Sequence, residues 1–309
     1  MTRLLITGGS GFVGQHLRHH LRDNAPEIEL LAPSLDITDK PAVERLIKTT
    51  RPDALLHLAA ISAIAQAANA PAHAWAVNVQ GTLNLAQAVL AHAPDCRFIF
   101  VSSAEVYGRA FLGPRPVTEE TVPEPANLYA STKAEAEAAL AALPGLKLLR
   151  LRPANHTGPG QSPDFVIPAF ARQIARIEAG LQPPVLKTGT LDTWRDFLEV
   201  RDVCAAYGKA LARPAFAPGE VLNIASGTPQ RIGDLLEAML GMARVTISVE
   251  TDPAKLRPAE IPVARIDPSR ARTRLGWGAQ IPIKETLAAT LAYWRRTLTA
   301  FPAPARPSQ

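Results

Sequence analysis

The stretch Thr7-Gly-Gly-Ser-Gly-Phe-Val-Gly14 (TGGSGFVG) spaces three glycines three residues apart near the start of the chain. It follows an apolar run at residues 3–7, which predicts a buried strand, and it opens a helix predicted over residues 11–22. Glycines at such a junction permit a tight turn and a close approach of the backbone to a pyrophosphate, which the helix N-terminus then faces. The stretch therefore predicts a dinucleotide site, with contacts from Gly8, Gly11, Phe12, Val13 and Gly14.

Strands and helices alternate through the first half of the chain. Strands are predicted at 3–7, 28–32, 54–58, 97–102 and 146–151, with helices at 11–22, 41–50, 72–91 and 127–140. Further on, helices are predicted at 165–179, 201–212, 231–242 and 284–298, with short strands near 185–188, 194–198, 220–224 and 245–249. This alternation predicts a parallel sheet with helices on both faces and right-handed crossovers. The expected fold is α/β, a Rossmann-type doubly wound parallel sheet with a smaller C-terminal α/β substrate-binding region.

The pattern loosens after about residue 153, which suggests a division of the chain into three parts. Residues 1–153 are expected to form an NAD(P)-binding Rossmann domain, to which later segments return. Residues 154–300 are expected to form mainly the substrate-binding region. The Pro-rich tail at 301–309 is predicted to be disordered.

Composition narrows the class of protein. The chain has 309 residues, of which 47% are hydrophobic and 20% are charged, the profile of an ordinary soluble globular protein. Its formal charge is +5, but no basic run is interleaved with aromatics, so we expect no nucleic-acid partner. No apolar run of about 18 residues and no signal peptide is found, so we expect no membrane partner and a cytoplasmic location. Cys96 and Cys204 lack neighbours at metal-ligand spacing, so no metal site is expected.

The helix predicted over residues 127–140 carries Tyr129 and Lys133 four residues apart in its first turn. This spacing sets the two side chains side by side, and a nearby ammonium is expected to lower the tyrosine pKa from about 10. Ser103 follows the preceding strand, at the end where ligands bind in such sheets. We therefore expect Tyr129 to transfer a proton, Lys133 to tune it and to bind a cofactor ribose, and Ser103 to orient a carbonyl group.

The type of dinucleotide is judged from the end of the second strand, which reads Leu30-Leu-Ala-Pro-Ser34. NAD-specific sites usually place a carboxylate there, on the ribose 2′-OH, and this segment has none. A missing carboxylate tolerates a 2′-phosphate, so NADPH is the expected cofactor, with NADH as a second accepted one. Further cofactor contacts are expected from Asp36, Ile37, Leu58, Ala59, Ala60 and His156.

The blocks TGGSGFVG, SSAEVYG and YASTK together resemble the extended short-chain dehydrogenase/reductase family, whose members mostly act on nucleotide sugars. The resemblance implies a catalytic triad of Ser103, Tyr129 and Lys133. The blocks RPANHTGPGQ, TWRDFLEV, NIASG and DPAKLRP are similar to those of the GDP-4-keto-6-deoxy-D-mannose reductases within that family. This implies NAD(P)H-dependent reduction of the C4 keto group of GDP-4-keto-6-deoxy-D-mannose to give GDP-D-rhamnose, by a homodimer.

For the substrate, the resemblance implies that Asn155, Arg195 and Arg257 bind the GDP part. Glu105 is expected to contact the substrate beside Ser103. It stands where related 4,6-dehydratases carry a glutamate base, but those usually place Thr before it, where this chain has Ser103 and Ala104.

Several alternatives stay open from the sequence. The chain could instead be a dehydratase that uses Glu105 as base, a 4-epimerase, or an NADPH-binding sensor without chemistry. Arg195 could be an ion-pair partner of Asp196 or Glu199 and not a phosphate ligand.

Overall fold

A computed structural model describes residues 2–256 and 261–300 of the chain. Its strands are β1 (Thr2–Thr7), β2 (Ile28–Leu31), β3 (Ala54–His57), β4 (Arg97–Val101), β5 (Lys147–Pro153), β6 (Asn155–Thr157), β7 (Val185–Thr188), β8 (Trp194–Glu199), β9 (Val221–Ile224), β10 (Pro229–Arg231) and β11 (Ser248–Thr251). Its helices are α1 (Phe12–Asn24), α2 (Lys40–Thr50), α3 (Ile64–Asn69), α4 (Pro71–Trp75), α5 (Thr82–His92), α6 (Leu128–Ala141), α7 (Val166–Glu178), α8 (Val200–Leu211), α9 (Ile232–Leu240), α10 (Ser269–Leu275) and α11 (Ile283–Ala300). A π-helical turn (Ala76–Gly81) joins α4 to α5, and 3₁₀ helices span Ala104–Leu112 and Pro253–Lys255.

The main sheet has six strands in the order β2-β1-β3-β4-β5-β9, and every neighbouring pair in it is parallel. The chain runs outward from β1 to β2 and then crosses back to β3 on the other side of β1, so the strand order reverses there. Ligands of such sheets bind in the crevice at the carboxyl ends of the strands at this reversal. The predicted Rossmann-type doubly wound fold is confirmed.

Helices cover both faces of this sheet because its strands are apolar on both sides. Leu4 and Ile6 of β1 face one core together with α1 and α8, while Leu5 faces the other with α2 and α5. All three of these side chains are fully buried, and each contributes about 1.5–3 kcal/mol of hydrophobic stabilisation. The two cores hold the carboxyl edge of the sheet rigid, and the site lies along that edge.

The second half of the chain builds a smaller region with its own core. Helices α7, α9 and α11 pack together with Leu186 of β7 and Phe197 of β8. A three-stranded sheet, β10-β8-β6, and a parallel pair, β11-β7, complete this region. Strand β9 comes from the second half of the chain but pairs with β5 in the main sheet. The second half therefore supplies one strand of the main sheet.

Three local predictions differ from the structure. The single helix expected over 72–91 is divided by the π-helical turn, in which the Asn78 side chain bonds the backbone of Ile61. The strand expected near 245–249 lies at Ser248–Thr251, and α10 was not predicted, although it ends at Gly276 in the left-handed conformation that stops helices.

The tail at 301–309 lies outside the described residues. Within the described part, no helix has the length and apolarity to cross a bilayer.

Candidate active site

The glycine turn between β1 and α1 is crowded in a way that only glycine permits. Gly8 has a φ of +73°, and a Cβ there would lie 2.7 Å from the backbone nitrogen of Ala59. A Cβ on Gly14 would lie 2.6 Å from the carbonyl oxygen of Gly8. The turn therefore packs directly against α1 and the end of β3, which leaves its outer backbone surface open for a ligand.

Helix α1 starts at Phe12 after Gly11, and no side chain caps its N-terminus. Backbone N–H groups at such an end favour an anionic ligand. His156 lies over this end, with its ring stacked on Phe12 at a centroid distance of 6.5 Å and an interplanar angle of 6°. Its Nδ1–H donates to the carbonyl oxygen of Ala154 at 3.0 Å, and burial lowers its pKa. The structure thus places His156 beside the first residue of α1, and its contact with a cofactor stays a prediction.

The remaining predicted cofactor residues follow the carboxyl ends of β2 and β3, the two strands beside β1. Asp36 is exposed, and its carboxylate accepts from the backbone N–H and the hydroxyl of Thr38, which lowers the Asp36 pKa. Ile37 is 3% exposed because it packs against Gly81, so its side chain supports the crevice wall from within. Leu58, Ala59 and Ala60 follow β3 and are partly exposed.

Ser103 and Tyr129 meet at the carboxyl edge of the sheet. Helix α6 is capped by Asn127, whose Oδ1 accepts from the backbone N–H of Ala130 at 2.9 Å, a contact that contributes about 1 kcal/mol. Tyr129 in its first turn is 8% exposed, and its side chain lies beside that of Ser103. The Ser103 Oγ accepts the backbone N–H of Glu105 at 3.1 Å, which fixes its rotamer.

The expected lowering of the Tyr129 pKa by Lys133 is wrong for the ligand-free chain. Burial, together with the charge of Glu105, raises the pKa of Tyr129 to about 12, although the nearby Ser103 hydroxyl acts to lower it. The Lys133 ammonium donates instead to the carbonyl oxygen of Val101 at 2.8 Å and lies 4.7 Å from the ring centroid of Phe100. Burial lowers its own pKa to about 7. Tyr129 is therefore a protonated phenol that can donate its proton.

Glu105 lies close to this pair. Its Oε2 accepts from Nδ2 of Asn127 at 3.2 Å, so one side chain both caps α6 and holds the Glu105 carboxylate. The structure thus brings together Ser103, Glu105 and Tyr129, three residues separated by up to 26 positions in the chain.

The predicted GDP-binding residues fall in the smaller region. Asn155 in β6 pairs with Phe197 of β8, and Arg195 lies on the same strand β8. The Arg195 guanidinium donates to the carbonyl oxygens of Trp194 at 2.9 Å and Ile261 at 2.8 Å. Arg257 lies outside the described residues.

The two carboxylates considered as partners of Arg195 bind other groups. Asp196 accepts from the backbone N–H groups of Ser226 at 3.0 Å and Gly227 at 2.7 Å. Glu199 pairs with Arg201 at 2.9 Å.

Comparison with known proteins identifies the family. A sequence model of the family described as GDP-mannose 4,6 dehydratase matches residues 18–290. The chain belongs to this family of extended short-chain dehydrogenases/reductases. The resemblance found in TGGSGFVG, SSAEVYG and YASTK is confirmed.

Individual relatives cover almost the whole chain. The GDP-6-deoxy-D-mannose reductase of Pseudomonas aeruginosa is 39% identical over 297 residues, which cover 94% of this chain and 97% of that protein. The GDP-6-deoxy-D-talose 4-dehydrogenase of Aggregatibacter actinomycetemcomitans is 25% identical over 280 residues, covering 89% and 91%. A solved structure of RMD from Pseudomonas aeruginosa complexed with NADPH has a TM-score of 0.88 at 37% identity, covering 96% of this chain and 100% of that one.

The sequence pattern alone does not single out two further residues of this extended short-chain dehydrogenase/reductase, His57 and Asn78. His57 is 1% exposed at the end of β3, and Asn78 is 1% exposed in the π-helical turn. Each is the polar member of an otherwise apolar segment, LLHLAA and WAVNV respectively. A buried polar group needs hydrogen-bond partners. A polar residue within an apolar run is therefore the sequence feature by which such residues could be found.

Proposed function

We propose that this chain reduces the C4 keto group of GDP-4-keto-6-deoxy-D-mannose with NADPH and releases GDP-D-rhamnose. The observation that supports the proposal most strongly is the position of buried Ser103 beside buried Tyr129, whose phenol burial keeps protonated. Reduction of a ketone leaves an alkoxide that needs a proton, and a buried phenol beside a hydroxyl donor can supply it. The relative named GDP-6-deoxy-D-mannose reductase supports this substrate.

Each residue of the site has a separate role in the reaction. When bound, NADPH supplies a hydride to the C4 carbon. Ser103 donates a hydrogen bond to the C4 oxygen and orients the carbonyl. Tyr129 transfers its phenolic proton to that oxygen as negative charge develops there, so the product leaves as an alcohol. Lys133 binds the ribose near the nicotinamide, and its positive charge stabilises the phenolate left on Tyr129.

The glycine cradle fits the proposed cofactor. A Cβ on Gly8 or Gly14 would collide with neighbouring backbone, Gly11 is exposed, and the uncapped start of α1 suits a pyrophosphate. At the end of β2, a Cβ on Gly9 would lie 2.8 Å from the Cβ of Ala32, so small residues meet where a carboxylate would otherwise stand. We therefore assign NADPH as the preferred cofactor and NADH as a second accepted one.

Gly8→Ala is expected to weaken NADPH binding at least about tenfold, or about 1.4 kcal/mol. The new Cβ would press on the backbone of Ala59 and would also adopt a positive φ, which costs about 1–2 kcal/mol of folding stability. Fluorescence titration with NADPH and thermal unfolding measure the two effects. Gly180→Ala is the control, since Gly180 has a φ of +68° with nothing within 4 Å. An equal loss of NADPH affinity in both variants would contradict the role of the turn.

Further parts of the proposal concern the substrate and the assembly. Asn155, Arg195 and Arg257 bind the GDP part, and Glu105 contacts the sugar beside Ser103. Residues 1–153 serve mainly the cofactor and residues 154–300 mainly the substrate. The chain acts as a homodimer in the cytoplasm, where the free thiols of Cys96 and Cys204 stay reduced.

Glu105→Gln separates the reductase from the dehydratase alternative. For a reductase we expect kcat within about tenfold of wild type and a raised KM for the keto sugar. The reason is that Glu105 would bind the substrate equally well in the ground state and in the transition state. Glutamine keeps an acceptor for Asn127, so the cap of α6 survives. Loss of the Glu105 charge also removes one cause of the raised Tyr129 pKa. The fall of kcat at high pH, where Tyr129 loses its proton, should therefore begin at a lower pH. A dehydratase would instead lose water elimination from GDP-mannose in this variant, by about 10²-fold or more.

The proposed function is tested by following nicotinamide absorbance. NADPH, and separately NADH, is mixed with the protein, and GDP-4-keto-6-deoxy-D-mannose is generated in place from GDP-mannose by a dehydratase. Oxidation of NADPH that requires the keto sugar supports the reductase, and the ratio of the two rates gives the cofactor preference. NADPH binding without any oxidation would favour the sensor alternative.

A further inference from the structure

His57 is a buried imidazole that the proposed reaction does not use. It ends β3 and packs against the rings of Phe98 and Phe100, at centroid distances of 6.3 and 5.7 Å. Both of its ring nitrogens are hydrogen-bonded: Nδ1 lies 2.7 Å from Oγ1 of Thr7, and Nε2 lies 2.8 Å from Oγ1 of Thr82. A buried ring with both nitrogens satisfied has one orientation and links the two groups that it contacts.

The hydrogen bonds through this ring run in one direction. The Thr82 hydroxyl donates to the carbonyl oxygen of Asn78 at 2.7 Å, so it accepts from Nε2–H of His57. Burial and the charge of Lys133 lower the His57 pKa to about 3, so the ring is neutral and Nδ1 is an acceptor. The Thr7 hydroxyl is therefore the donor to Nδ1. The neutral tautomer with hydrogen on Nε2 satisfies every atom of the series.

The series continues from Asn78 to the helix that carries Tyr129. Asn78 Nδ2 donates to Oγ1 of Thr132 at 2.9 Å, and the Thr132 hydroxyl donates to the carbonyl oxygen of Tyr129 at 2.8 Å. Asn78 lies in the π-helical turn, a distortion that is frequent at functional sites. The same amide also binds the backbone N–H and carbonyl of Ile61, in the loop that follows the cofactor crevice. Every side chain of the series is at most 2% exposed apart from Tyr129.

We propose that His57 is a positioning residue that couples the glycine turn to helix α6. On one side it holds Thr7, the residue directly before Gly8. On the other side it holds Thr82 and, through the π-helical turn, the segment of α6 with Tyr129. The effect on kcat rests on the proposed function, whereas the effect on NADPH affinity does not depend on turnover.

Three replacements of His57 separate its two contacts. Asparagine keeps an acceptor near the place of Nδ1, glutamine keeps a donor near the place of Nε2, and leucine keeps neither. We expect His57→Asn to retain the wild-type Kd for NADPH and to lose about tenfold in kcat, the effect of one buried hydrogen bond. We expect His57→Gln to lose about tenfold in NADPH affinity and to keep kcat near wild type. His57→Leu should show both losses.

Further variants keep the test independent of folding. Thr82→Val removes the second link but keeps the shape, so it should lower kcat about tenfold and leave the NADPH Kd unchanged. His19→Asn on the exposed side of α1 should change neither quantity. Thermal unfolding is measured for each variant, and assays are run well below each Tm. A nitrogen-15 NMR spectrum should show a neutral His57 ring with hydrogen on Nε2.

Two results would overturn the role of His57. In the first, all variants lower Tm, yet the folded fraction keeps the wild-type Kd and kcat. In the second, the asparagine and glutamine variants change Kd and kcat in the same proportion, which would make the residue purely structural. Failure of the proposed function would appear differently, as an absence of turnover in the wild-type chain, and the Kd comparison would still decide the role of His57.

Discussion

Tyr129→Phe is expected to lower kcat for the keto sugar by about 10²-fold or more, the usual size of a general-acid contribution. The phenol is 8% exposed and lies beside Ser103, so water cannot easily replace it as proton donor. The change removes one oxygen atom and no packing volume, so the NADPH Kd and the Tm should stay near wild type. Steady-state NADPH oxidation, a fluorescence titration and thermal unfolding measure these three quantities.

The control for this variant is Tyr293→Phe. Tyr293 is partly exposed in α11, packs edge-on against Trp294, and is not part of the site. It should leave kcat unchanged. If Tyr129→Phe retained more than about a tenth of the wild-type kcat, another group would have to protonate the C4 oxygen.

Lys133→Met is expected to lower kcat by about 10²-fold and to weaken NADPH binding, without loss of folding stability. The ammonium is buried against Phe100, and burial disfavours its charged form, so an apolar side chain of similar length suits the ligand-free chain. The variant should therefore lose activity without a matching fall in Tm. Lys209→Met, at an exposed position of α8, is the control and should change neither. A fall in Tm that matched the fall in activity would contradict the assigned role.

The same lysine predicts a pH dependence of stability. Its pKa is about 7 in the folded chain against an ordinary value of 10.5. Between these values the unfolded chain binds more protons than the folded one, so the contribution of Lys133 makes the ligand-free protein more stable as pH rises from 7. Below pH 7 this contribution is constant. Thermal unfolding from pH 7 to 9 should show the rise in wild type and a weaker one in Lys133→Met.

The sequence predicts the site better where a residue's role follows from its place along one element. The glycine spacing, the i, i+4 pair of Tyr129 and Lys133, and Ser103 at a strand end each follow from local geometry. The structure places them together at the carboxyl edge because parallel strands all end there. The strand positions in the first half follow from the same local pattern, whereas the division of the helix expected over 72–91 does not.

Properties that depend on burial could not be predicted in this way. The spacing of Tyr129 and Lys133 indicates attraction between charge and phenol, but the sequence does not show that Lys133 binds the carbonyl of Val101 or that Glu105 raises the Tyr129 pKa. The bonds from His57 to Thr7 and Thr82 join residues 50 and 25 positions apart. Such contacts arise from the crossovers between strands and have no period along the chain.

The decisive measurement is the fate of deuterium from NADPH that is labelled on the transferable position of the nicotinamide. Purified protein is incubated with this cofactor and with GDP-4-keto-6-deoxy-D-mannose, and the sugar product is examined by NMR and mass spectrometry. We predict one deuterium at C4 of the sugar, with the configuration of GDP-D-rhamnose. Deuterium at C4 in the opposite configuration would instead indicate GDP-6-deoxy-D-talose. No deuterium in the sugar, together with loss of water from GDP-mannose in a parallel incubation that contains GDP-mannose alone, would contradict the reductase and give Glu105 the role of base.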